Sequence, residues 1–323
     1  MRRVAVLSLA AVLARSVALS AQSTPYPQCP VTAVDQQSIN LCNAAIDGAQ
    51  VFHPVLGLLV SGGNSVLGGI GTLGGFPHFA LTARVNATKL KTPDVNFDGT
   101  STTVGKDQDF LAPAPLIEAA VGVLPGFGPS KFLSADVLAS AQLLPTNQVD
   151  NLTVDKDARH IGSIALGLGY GARVGVIQGK AIIPSVAVSA MFRSIPTITF
   201  GDVTGGDRYS FSTNLHATNL RAVAGYRLAL LAVGAGLGWD KYTGNMKATF
   251  QPTVGPAQSI QTVKLDNTRT MAFLTAALDL PIVKIGAEIG YQFGKDENLN
   301  TTFAGNDPAD KRLFAGAGLR FTF

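Results

Sequence analysis

The chain has 323 residues, 46% of them hydrophobic and only 14% charged, with 35 glycines and a single tryptophan. That is too apolar for a disordered chain, and past the amino terminus no window holds the roughly 18 uninterrupted apolar residues of a spanning helix. The net charge of +4 comes from 25 basic and 21 acidic residues spread along the chain, so no basic cluster argues for a nucleic-acid partner.

Met1-Arg2-Arg3, the apolar run Val4 to Ala14 and the small residues Ala18 to Ala21 have the layout of a Sec signal peptide over residues 1–21, with cleavage after Ser20 competing with cleavage after Ala21. Cys29 and Cys42 follow at once, in a chain bound for an oxidising compartment, and a disulfide tying residues 22–50 into a periplasmic segment is expected. A metal pair is disfavoured because no histidine lies between them. Thr32 to Gln50 suits a short helix with Leu41, Ala45 and Ala49 on one side.

Residues 51–76 are apolar and rich in glycine, too interrupted to span and too apolar to hang in water. They are expected to fill the dry interior of a barrel as a plug or hatch, with Gly62, Gly63, Gly68, Gly69, Gly71, Gly74 and Gly75 as gate residues that let the backbone turn or move. Gly69, Gly71 and Gly74 also satisfy G-x-G-x-x-G, with Asp94 beyond them. The dinucleotide reading fails on context, because Pro77 and an alternating strand follow where a helix is required. No cofactor is expected.

From residue 77 to 323 the chain repeats segments of alternating apolar and small or polar residues, the pattern of transmembrane strands. Phe79, Leu81, Ala83, Val85 and Ala87 alternate with His78, Thr82, Arg84, Asn86 and Thr88, and nine further segments read the same way up to Leu313–Phe323. The connections alternate between short turns, near Pro125–Pro129, Val176–Gly179, Ala229 and Pro281, and long polar loops. The long set covers Lys91–Asp109, Pro145–Asp157, Pro196–Asp207, Gly244–Gln258 and Lys295–Asp310. The expected fold is all-β, an antiparallel up-and-down transmembrane barrel of about ten strands with an amino-terminal periplasmic or lumenal segment. A soluble sandwich would bury the apolar faces and leave strands such as Gly234, Gly236 and Gly238 facing water, where they are weak.

Period-two alternation places Arg84, Glu118, Asp136, Arg173, Arg193, Arg221, Lys284, Glu288 and Arg320 inside the barrel, as a salt-bridged packing or as a polar path for solutes. Four histidines, His53, His78, His160 and His216, are the available bases for an enzyme, and no G-x-S-x-G or HExxH spacing accompanies them.

The last strand has an apolar outer face, Arg312, Gly316, Gly318, Arg320 and Thr322 opposite it, and ends on Phe321-Thr322-Phe323. It resembles the closing strand of bacterial outer-membrane β-barrels, whose terminal aromatic is read by the assembly machinery. The resemblance implies a Gram-negative-type outer membrane as the address, its lipid and its assembly machinery as partners, and Phe321 and Phe323 as the assembly signal. An apolar segment entering the lumen ahead of the first strand is similar in architecture to the hatch of FadL-like long-chain fatty-acid transporters. This implies a gated channel or transporter for small, hydrophobic compounds rather than an enzyme, the solute being unspecified. The alternatives are a structural or surface-interaction barrel with partner-binding external loops, and a lipid-modifying barrel enzyme.

Overall fold

The computed structural model describes residues 25–29, 35–145, 151–155, 158–161, 164–179 and 183–323; the expected signal peptide lies outside the described residues. Ten long antiparallel strands close into one barrel: β1 Phe79–Pro93, β2 Lys106–Leu124, β3 Ser134–Pro145, β4 Ile164–Ile177, β5 Ser185–Phe200, β6 Tyr209–Leu228, β7 Leu231–Phe250, β8 Gln258–Asp279, β9 Val283–Gln292 and β10 Arg312–Thr322. Each pairs with the next, and β10 returns to β1 from Ala80↔Thr322 to Thr88↔Phe314, which leaves no free edge. Two short loop segments, Leu152–Val154 and His160–Ile161, add rungs to β5 and β4.

Strand alternation decides which side faces out. In β1, Leu81 is 47% exposed and its neighbour Thr82 only 1%, and the pattern continues along the strand. Leu237 and Leu274 stand on the outside at 66% and 62% exposure. An apolar outer wall of this kind needs lipid against it. Toward the short turns the inside is polar and charged, whereas around the upper strand ends it is apolar, with Phe200, Phe211, Leu215, Met246 and Phe250 buried in one cluster.

The connections sort as expected into short turns at one end and long segments at the other. Three long connections are shorter than expected, because β1 continues to Pro93 and β2 begins at Lys106, β5 continues to Phe200, and β7 continues to Phe250 with β8 beginning at Gln258. With 20, 20 and 22 residues, β6, β7 and β8 far exceed the about 9–11 needed to cross a bilayer. Beyond the lipid band a strand keeps its ladder while its faces exchange character, polar outward and apolar inward, as at Ser210 and Phe211 or Lys247 and Ala248, so a search for outward apolar faces stops short of it.

The extra height encloses a helix, α1 Gln36–Ser61, inside the barrel. Its 26 residues make about 39 Å at the usual rise. The sequence predicts a helix to Gln50 followed by irregular chain, whereas α1 runs on through Pro54 to Ser61. In a dry lumen the backbone satisfies its amides internally, and that requirement outweighs one missing N–H at a proline. Phe52 packs on Phe211 and Phe200, with ring centroids 5.9 and 6.1 Å apart.

Asp35 caps α1 by accepting from the Ser38 amide at 2.8 Å and from the Thr253 hydroxyl at 2.7 Å. The Thr253 bond, with the Ser38 amide behind it, holds the Asp35 carboxyl below its ordinary range. Asn40 Nδ2 donates to the Gly99 carbonyl at 2.8 Å, so the start of α1 lies among the long connections. Cys29 and Cys42 are joined, and Cys42 is fully buried. Of the disulfide-tied segment expected in the periplasm over residues 22–50, Cys29 and the helical residues 40–49 are therefore buried inside the barrel at the end away from the short turns. A helix apolar on nearly all sides needs a covered site, and the lumen supplies one.

Candidate functional site

After Ser61 the chain descends through the lumen as irregular backbone to the short-turn end, where β1 begins. The charges that the sequence places inside are what hold it there. Arg84 donates to the carbonyls of Asn64 at 2.8 Å and Gly62 at 2.7 Å, and Arg221 to those of Ser61 at 2.8 Å and Gly63 at 2.7 Å. Two guanidiniums thus take up the Ser61 and Gly62 carbonyls that the end of α1 leaves without intrahelical partners, where the helix dipole favours cations, and hold the two carbonyls that follow.

The same groups are tied to carboxylates on the wall. Arg84 lies 3.1 Å from Glu288 and 3.7 Å from Glu118, and Arg193 lies 3.9 Å from Glu118. Glu288 accepts from the Asn64 amide at 3.0 Å. Arg173 and Asp136 pair at 2.6 Å, and Asp136 also accepts from the Leu73 amide at 3.0 Å. Eight of the nine expected lumen charges are buried; Lys284, at the short-turn mouth, is only partly covered and bridges Asp279 at 3.1 Å. The arrangement is a pinned plug, since each ion pair also holds a backbone group of the threaded segment or neighbours one that does.

Sequence reasoning missed several members of this network. Asp240 accepts from Arg221 at 2.6 Å, from Asn219 at 2.7 Å and from the Tyr242 hydroxyl at 3.0 Å. Arg269 reaches Glu297 at 3.0 Å. Continuing the two-residue repeat past Trp239 and back from Ala272 finds both Asp240 and Arg269.

Of the expected gate glycines, Gly63, Gly68, Gly69 and Gly75 mark close approaches of the plug to the wall. Gly62 caps α1, and Gly63 has φ +81°, with the Glu288 carboxylate where a Cβ would sit. Gly75, at φ +94°, leaves only 2.6 Å between a built Cβ and the Pro125 nitrogen. Gly68 and Gly74 also have positive φ, while Gly69 and Gly71 do not. Phe321 and Phe323 lie on the outer face. His53 is buried in α1 with Nδ1 3.2 Å from Asn267 Oδ1, and the recorded ring contacts of His78, His160 and His216 are to the Gly75 and Ala158 carbonyls and to Asn214.

Between α1 and the wall lies a cavity of about 410 Å³, lined by Phe52, Leu56, Leu59, Leu90, Phe110, Ala112, Pro113, Ala114, Leu144, Leu152, Val154 and Ile198. It backs onto an interrupted seam. Among the described residues the rungs joining β2 to β3 stop at Leu116↔Gln142, while β2 continues along β1 alone. The Gly122 amide donates to the His78 carbonyl, so by the two-residue repeat Pro113 and Pro115 turn their nitrogens toward β3. Neither has a proton to donate there.

No family model matches the sequence, and no curated protein matches it. Among solved structures the chain is similar to the outer membrane protease OmpT from Escherichia coli, at 10% identity and TM-score 0.41 over 76% of this chain and 97% of that one. It is similar to the translocator domain of autotransporter NalP from Neisseria meningitidis, at 12% identity and TM-score 0.40 over 91% and 100%. It is also similar to the P. putida toluene transporter TodX, at 9% identity and TM-score 0.28 over 76% and 89%. No residue role is carried over from these proteins; by its own strands the chain is a closed antiparallel β-barrel of ten long strands with an apolar outer wall.

Proposed function

We propose that the protein is a non-enzymatic outer-membrane channel or transporter for small apolar compounds, held shut by α1 and residues 62–75, with the short turns in the periplasm and the long connections outside the cell. The observation that carries this reading is the cavity of about 410 Å³ walled almost wholly by apolar side chains beside the β2–β3 seam. Such a wall offers an apolar solute a place to leave water, at about 25 cal/mol for each Å² covered. The upper part of the seam, where among the described residues the rungs stop at Leu116↔Gln142, supports entry or exit sideways, and the arginine-pinned plug supports a closed resting state.

The test is binding of the fluorescent apolar probe N-phenylnaphthylamine to the detergent-purified protein. Saturable binding is expected, weakened about tenfold by Ala112→Phe, a shift of about 1.4 kcal/mol from filling the cavity. Absence of binding, or binding indifferent to Ala112→Phe, rejects the reading.

A further inference from the structure

At the short-turn end of the lumen a second cavity, of about 550 Å³, is lined by Arg173, Arg320, Lys131, Arg227 and Lys284, with Ile70 as an apolar wall. Two of its guanidiniums converge on one point. A Cβ built on Gly69 would stand 2.7 Å from Arg173 Nη1, 3.0 Å from the Val66 carbonyl oxygen and 3.2 Å from Arg320 Nη1. Both side chains are more than nine-tenths buried, the residues being 3% and 6% exposed.

Arg173 directs Nε and Nη2 to Asp136 at 2.9 and 2.6 Å and leaves Nη1 with no acceptor. Arg320 gives Nη1 to the Leu67 carbonyl at 3.0 Å and leaves Nε with none. Asp136 is thus already engaged by Arg173, and Asp279 sits between Arg227 and Lys284 at 3.1 Å from each. Lys131 has no carboxylate within ion-pair distance among the described residues; its Nζ would lie 2.9 Å from a Cβ on Gly74.

Buried donors without acceptors leave their desolvation uncompensated. Like charges turned toward one point raise each other's energy, and an anion between them lowers both. Guanidinium forks suit the paired oxygens of an oxyanion, and Ile70 gives an attached carbon body a surface.

We propose that this cavity binds the oxyanion group of a small organic acid. The site is separate from the apolar cavity beside α1 and does not rest on the transport reading. Free phosphate has the same oxyanion chemistry without a carbon body, and the experiment separates the two.

Full-length protein in a neutral maltoside is titrated calorimetrically with benzoate and, separately, with inorganic phosphate at low salt. Benzoate is expected to bind saturably at one site, and less tightly as salt is raised. Gly69→Ala, which sets a methyl between the guanidiniums and keeps every charge, and Arg320→Gln, which removes one guanidinium and leaves a polar side chain, are each expected to weaken binding at least about tenfold. Both variants are first checked for heat-modifiable folding. Phosphate binding with the same loss in both variants, and no benzoate binding, supports the oxyanion site and assigns phosphate as its occupant. Binding of neither probe, or binding unchanged in both variants, overturns the proposal.

Discussion

Phe323 and Phe79 seal the barrel by exchanging both backbone hydrogen bonds, at 2.9 and 3.0 Å, and stacking their rings 4.7 Å apart. The terminal residue is thus the final rung of the β10–β1 ladder. Deleting Phe323 removes two bonds worth about 1 kcal/mol each and a ring pair worth about 1 kcal/mol. A lower yield of heat-modifiable folded protein on gels is expected, and an unchanged yield counts against both the rung and an assembly signal.

Removing Arg84 strands two buried carboxylates. Arg84→Met is expected to destabilise the barrel by about 3–5 kcal/mol in urea unfolding. Because Glu288 lies 3.1 Å away, the double variant with Glu288→Gln should cost less than the sum of the two single changes. Strict additivity would show that the two are not coupled.

The Cys29–Cys42 bond fastens the start of α1, and no barrel strand depends on it. Replacing both cysteines with serine should speed hydrogen exchange in the first turns of α1 while strand amides stay protected. Free thiols in the intact protein under non-reducing mass spectrometry would remove the basis of this expectation.

Deleting residues 51–75 takes out the lower half of α1 and its descent, and should raise nonspecific conductance in planar bilayers. The intact protein should pass little current. A large open-pore conductance from the intact protein would reject gating in favour of a general pore.

Most of the barrel was legible in the sequence because lipid on one side and charge on the other impose a strict two-residue repeat, as at Leu81 and Thr82. Where lipid ends, the contrast reverses to polar outward and apolar inward, and the upper reaches of β7 and β8 with Asp240 and Arg269 escape a search for outward apolar faces. All nine lumen charges were readable as inward-facing, but their partners were not. Arg84 meets Glu288 only through the closure of β10 between β9 and β1, which joins residues far apart in the chain. Residues 51–61 read as irregular because glycine and proline break helices in water, and the lumen is not water.

The helix precedes the strands in the chain, starts at the long-connection end and is followed by a strand that starts at the opposite end. The finished ring is therefore a bead on its own string: sealing β10 onto β1 encircles residues 36–61, and that thread is free to leave only lengthwise. Tyr26, whose hydroxyl reaches the Asn298 carbonyl at 3.1 Å, stands at the far mouth, on the other side of the ring from the start of β1.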